Sequence, residues 1–148
     1  MTRDFQRSKV YAAERSALSG DPTPDWATVK EVQVFVNRIT RTQWWLKRSW
    51  NERHRNREVL VVDGRGSSSG RAFWSARRRT AVIALPRWAR SRWVVCHELA
   101  HLMTPDRFAP HGAEWAANYL ALVRRWIGPD AADALEASFV RDRVKHRP

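Results

Sequence analysis

The sequence predicts an α+β fold: a small mixed sheet packed on a central helix, with further helices on its flanks. Three observations lead there. Apolar residues recur at helical spacing before residue 40 and again beyond residue 91. The middle of the chain holds short runs rich in β-branched and aromatic residues. The second helical region opens with RWVVCHELAHLM, apolar around most of its circumference, as a buried helix must be. The chain has 148 residues, 43% of them hydrophobic and nine of them Trp, which suits one globular domain and excludes a disordered chain.

The elements follow in order. Residues 4–18 read as a helix. In TPDWATVKEVQVFVNRI, Thr28 and Glu31 stand three apart as a capping box, ahead of Val29, Val32, Phe35, Val36 and Ile39 at helical spacing. Val32, Val34 and Val36 also alternate, which leaves a strand open there. Four strand candidates follow: QWWLK (43–47), EVLVVD (58–63), AFWS (72–75) and TAVIALP (80–86). GRGSSSGR (64–71) lacks a GKS or GKT ending and reads as a plain connector, not a phosphate cradle. Ser91 can cap the next helix, and Pro105 stops it just after Thr104. Trp115, Tyr119, Leu122 and Trp126 form a stripe on a further helix, closed by Gly128 and Pro129. The expected organisation is one domain over 1–148, with N-terminal helices at 4–39, a basic, strand-rich middle at 41–86 and a helical part at 91–144. The tail RDRVKHRP is expected to fray.

The net charge of +12 is concentrated. Residues 38–96 hold fifteen Lys or Arg against Glu52, Glu58 and Asp63, which is +12 by themselves. Such asymmetry suggests a surface for nucleic acid, and RTQWWLKRSWNERHRNR (41–57) interleaves aromatic and basic residues in that manner. Against it, twenty-three of the twenty-seven basic residues are Arg, a bias that a GC-rich genome also produces, and Trp44, Trp45 and Trp50 can simply pack the sheet. The charged opening and the absence of a long apolar run point away from a signal peptide and from a membrane partner. Cys96, the only cysteine, cannot form an internal disulfide or a cysteine-based zinc cluster, so a cytoplasmic protein is expected. On an apolar helix it reads as inert core rather than a nucleophile.

The chemistry centres on HELAH. His97 and His101 are four apart, so both lie on one helical face, where two imidazole nitrogens can converge on a metal at about 2.0–2.1 Å each. Glu98 stands beside the first ligand, within reach of a water at the metal without ligating the metal itself, and is the candidate general base. A chance match to this pattern arises in roughly one such chain per hundred, so a third ligand matters. A catalytic zinc takes three protein ligands and keeps one position open. After the break at Pro105, His111 returns at the mouth of the next helix, and Gly112 would allow close backbone approach or a positive φ. Glu114 is the rival third ligand or a carboxylate that orients a ligand imidazole, and Asp106 is a weaker candidate for that work. Metzincin spacing is excluded, because Thr104 and Arg107 stand where that pattern needs Gly and His. Tyr119 and Arg107 are conceivable oxyanion donors, though each also suits a structural role.

HELAH followed by HGAEW resembles the SprT-like zincins, where H-E-x-x-H is followed after a short loop by H-G and an aromatic residue. The whole chain is similar to a small actinobacterial metallohydrolase family, through RDFQRSKVYAAE, the HELAH–HGAEW core and GPDAADAL. The resemblance implies a zincin-like fold, with one Zn2+ per chain on His97, His101 and His111 and Glu98 as base. SprT-like members include proteases acting on DNA-attached proteins, but the cysteine-rich zinc ribbon many of them carry is missing here, which weakens that specific implication. Zincins also tend to pair an extended substrate with the sheet-edge strand before the active-site helix. That role would fall to TAVIALP, which equally reads as a plain buried strand.

Three functions from different classes follow. One is a zinc-dependent hydrolase, a metallopeptidase with a peptide or protein substrate. Another is a nucleic-acid-associated metalloprotein acting through the basic 38–96 segment. The third is a structural metal site, disfavoured because such a site is closed by a fourth protein ligand.

Overall fold

The computed structural model describes residues 3–48, 58–65 and 69–148. Among these it is α+β, with six α-helices and a three-stranded mixed sheet. The chain divides into two compact units, Met1–Pro22 with Asp106–Pro148, and Thr23–Pro105.

The second unit carries the sheet. Its first helix, α1 of the first unit (Arg7–Leu18) preceding it in sequence, is α2 (Val29–Thr40). Thr28 caps it by accepting from the Glu31 amide at 3.2 Å, while the Thr28 hydroxyl lies 2.9 Å from Glu31 Oε1. Val32, Phe35, Val36 and Ile39 are buried, whereas Val34 is 67% exposed. A strand would have put Val32, Val34 and Val36 on one face, so helical periodicity wins. The short helix α3 (Gln43–Arg48) replaces the strand expected for QWWLK. The reason is local: the Thr42 hydroxyl accepts from the Trp45 amide at 3.1 Å and starts a helical turn, which buries Trp45.

Strands β1 (Val59–Asp63), β2 (Arg71–Ser75) and β3 (Thr80–Leu85) lie in the order β1-β3-β2. β1 runs parallel to β3, with Val61 opposite Ile83, and β2 runs antiparallel to it, with Phe73 opposite Val82. TAVIALP is therefore the central strand, paired on both sides, and the expectation of a substrate-accepting edge there is overturned. Its composition explains the placement. Ala81, Val82, Ile83 and Leu85 are all buried, and a strand apolar on both faces belongs inside a sheet. The outer edge of β1 is closed by one side chain of α2. Gln33 donates to the Val59 carbonyl and accepts from the Val61 amide, both at 2.8 Å, as a neighbouring strand would.

Helix α4 (Arg92–Met103) packs on β2 and β3, and its residues 95–100, 102 and 103 are buried. Ser91 caps it, accepting from the Val94 amide at 3.2 Å. Its start is anchored by Arg90, whose guanidinium donates to the Ala27 carbonyl at 2.6 Å and to Asp63 at the end of β1 at 2.7 Å. The Arg92 amide adds a bond to Asp25 at 2.8 Å.

The first unit consists of α1, α5 (Ala113–Trp126) and α6 (Pro129–Arg141), with α6 packed against the other two. Trp115, Tyr119 and Leu122 are buried at helical spacing on α5, while Trp126 is half-buried. Gly128 adopts φ 146, a conformation glycine supplies without strain, and Pro129 opens α6. The tail does not fray as expected. Arg143 (φ 55) ends α6 in a Schellman motif, with the Val144 amide bonded to the Phe139 carbonyl at 2.8 Å. Val144 is buried, and Gln6 bonds both the amide and the carbonyl of Lys145, at 3.0 and 2.9 Å.

Candidate metal centre

Helix α4 presents His97 and His101 one turn apart, with ring centroids 5.1 Å from each other and the rings edge to face. His97 is buried and His101 half-buried. Glu98, only 6% exposed, keeps a carboxylate inside the protein. It lies against Gly70, just before β2, where an added Cβ would stand 3.4 Å from Glu98 Oε1, 3.2 Å from Val94 Cγ1 and 3.0 Å from Leu85 Cδ2. GRGSSSGR is thus more than a connector at its described end, since its last glycine admits the Glu98 side chain. Residues 66–68 of that loop lie outside the described residues.

His111 is 5% exposed and held on several sides. Its Nδ1 lies 2.8 Å from Asp4 Oδ2, and its carbonyl accepts from Gln6 Nε2 at 2.6 Å. The ring meets Trp115 edge to face at 4.8 Å, with Tyr11 at 5.5 Å. Gly112 opens α5 at φ −78, so the positive φ entertained for it is absent. Close approach is what it provides, because a Cβ there would meet Ala109 Cβ at 3.1 Å.

His97, His101 and His111 each offer one ligand atom, and these atoms all lie within 4.8 Å of one another. This group could bind a metal ion. The donor set fits the ion expected from the sequence: imidazole is a borderline-soft ligand that suits zinc, and three of them match a site with one position left open.

The other sequence candidates fall elsewhere. Glu114 stands in the first turn of α5 and is not a member of the histidine group. The carboxylate bonded to His111 is Asp4, which sequence reasoning missed because 107 positions separate the two. Gln6 and Gly70 were missed for the same reason, and no motif marks any of the three. Asp106 is exposed. Arg107 is exposed with its guanidinium over the Phe108 ring at 4.7 Å, and Tyr119 is buried against Trp115 at 5.0 Å. Cys96 is fully buried, and that burial pushes its thiol far up from the usual range, so it is no nucleophile. In the aromatic-basic stretch, Trp45 is core and Arg48 lies over the Trp44 ring at 5.5 Å, while residues 49–57, Trp50 included, lie outside the described residues.

Comparisons with protein-family models, with curated proteins and with solved structures return no match. Among the described residues, no helix is long and apolar enough to cross a membrane.

Proposed function

We propose that the protein is a zinc-dependent hydrolase of the metallopeptidase class, with a zincin-like fold similar to the SprT-like group. The observation that supports this best is the convergence of His97, His101 and His111, with Glu98 adjacent to the first of them on α4. The three imidazoles would hold the ion and leave a position open. A bound zinc would supply Lewis acidity, lowering the pKa of a water and polarising the substrate carbonyl. Glu98 takes the proton from the attacking water and passes it to the leaving amine nitrogen, so that one water is consumed per bond cleaved. Its burial keeps the carboxylate within the protein rather than in bulk water. A lone buried thiol such as Cys96 suits the cytoplasm.

The experiment is Glu98→Gln assayed on quenched peptide libraries, beside zinc content by atomic absorption. Turnover is expected to fall by about 10²–10⁴-fold with zinc retained. Undiminished turnover in that variant overturns the mechanism, and a wild type that takes up no zinc overturns the metal itself.

A second reading has its own observation. Arg77, Arg78 and Arg79 are all exposed at the tip of the β2–β3 hairpin, within the basic 38–96 segment. We propose that this tip contacts nucleic-acid phosphates. Replacing all three with Gln should lower affinity for a duplex oligonucleotide and flatten its steep salt dependence. Affinity that does not vary with salt in the wild type refutes this reading.

A further inference from the structure

We propose that Asp4 is a positioning residue of the metal centre, holding His111 in the one tautomer that can act as a ligand. This rests on the reading of the histidine group as a metal site, and it adds a residue from the chain's opening segment. A carboxylate can only accept, so the 2.8 Å contact to Asp4 Oδ2 places the proton of the His111 ring on Nδ1. In the neutral ring the lone pair is then on Nε2, and the imidazole is preset to donate it.

Two features separate this from an ordinary surface contact. The same short stretch grips His111 twice, Asp4 at the ring and Gln6 at the carbonyl, which fixes both the direction of the side chain and the place of its backbone. Trp115 and Tyr11 both contact the ring, at 4.8 and 5.5 Å between centroids. In addition, the second oxygen of Asp4, Oδ1, is buried and has no hydrogen-bond partner among the described residues. A buried carboxylate oxygen without a donor is a cost. A negative charge at this position is explained by a cation to be bound on the far side of the ring.

The test uses the full chain as wild type, Asp4→Ala and Asp4→Asn. Zinc dissociation constants are measured by competition with a chromophoric chelator, and thermal midpoints are measured in excess chelator. Asp4→Ala should weaken zinc by about 10–100-fold. Asp4→Asn should fall between it and the wild type, since its carbonyl oxygen still accepts from Nδ1–H but carries no charge. The d–d absorption of the cobalt-substituted protein should change in the same order. Zinc held equally tightly by all three proteins overturns the proposal, and so does a lowered metal-free midpoint with unchanged zinc affinity, which would make the contact purely structural. A wild type that binds no zinc overturns the metal reading and this proposal together, whereas wild-type binding with an unaffected Asp4→Ala removes only the role of Asp4.

Discussion

Gln6→Ala tests how firmly the first and last segments of the chain are tied around His111. Gln6 is 2% exposed and makes three hydrogen bonds: to the His111 carbonyl at 2.6 Å, to the Lys145 carbonyl at 2.9 Å and from the Lys145 amide at 3.0 Å. Each is worth about 0.5–1.5 kcal/mol net, so losing three costs roughly 3 kcal/mol. The upper range applies if the tail stays docked with its backbone groups orphaned, and the lower range if it swings into water and rehydrates them. For a chain of this size about 1 kcal/mol shifts the midpoint by 2–4 °C, which predicts a fall of about 6–12 °C. The melt should be followed by circular dichroism in excess chelator, so that metal binding does not mask the loss. Gln6→Glu should be at least as damaging. It keeps an acceptor for the Lys145 amide but removes both donors and turns a negative charge toward two carbonyl oxygens. A fall below about 2 °C in both variants, with the Lys145 amide still protected from hydrogen exchange, would refute the reasoning.

Three further outcomes are expected. Gly70→Ala should lower any Glu98-dependent turnover with zinc content unchanged, and cost about 1–3 kcal/mol, because its Cβ must displace Leu85, Val94 or Glu98. Chemical denaturation beside a zinc assay checks both halves. Gln33→Ala should cost about 1–2 kcal/mol and promote concentration-dependent association measurable by light scattering, since it uncovers the Val59 carbonyl and Val61 amide at the outer edge of β1. Cys96 should resist iodoacetamide in the folded protein at pH 7 and equally at pH 9. Burial raises its pKa, so the thiol stays neutral across that range, and labelling should appear only on unfolding.

What could be read in advance was what neighbours in sequence decide. Thr28 and Ser91 cap their helices as expected, because a cap is a contact over three residues. The pairing of His97 with His101 on one face follows from helical geometry alone. QWWLK failed for the opposite reason. Its aromatic residues favour a strand on average, but Thr42 offers a cap to the Trp45 amide and the run becomes α3. For TAVIALP, the residues themselves were the better guide. A strand with Ala81, Val82, Ile83 and Leu85 buried on both faces has no solvent face, and the edge role came from the resemblance rather than from its composition.

The contacts that escaped the sequence share one chemistry. Asp4, Gln6 and Gln33 are polar side chains whose partners lie 107, 139 and 28 positions away: the ring of His111, the backbone of Lys145 and the backbone of β1. Each supplies what a strand or helix neighbour would otherwise supply, a donor or acceptor to a group that must be satisfied. Such residues look like solvated surface when met in sequence, because burial of an isolated polar residue leaves no periodic trace. Apolar side chains announce their burial through spacing; a buried or half-buried Gln or Asp announces its place only through its partner. That is why the three histidines could be singled out from spacing and motif, whereas the groups that hold His111 in place could not.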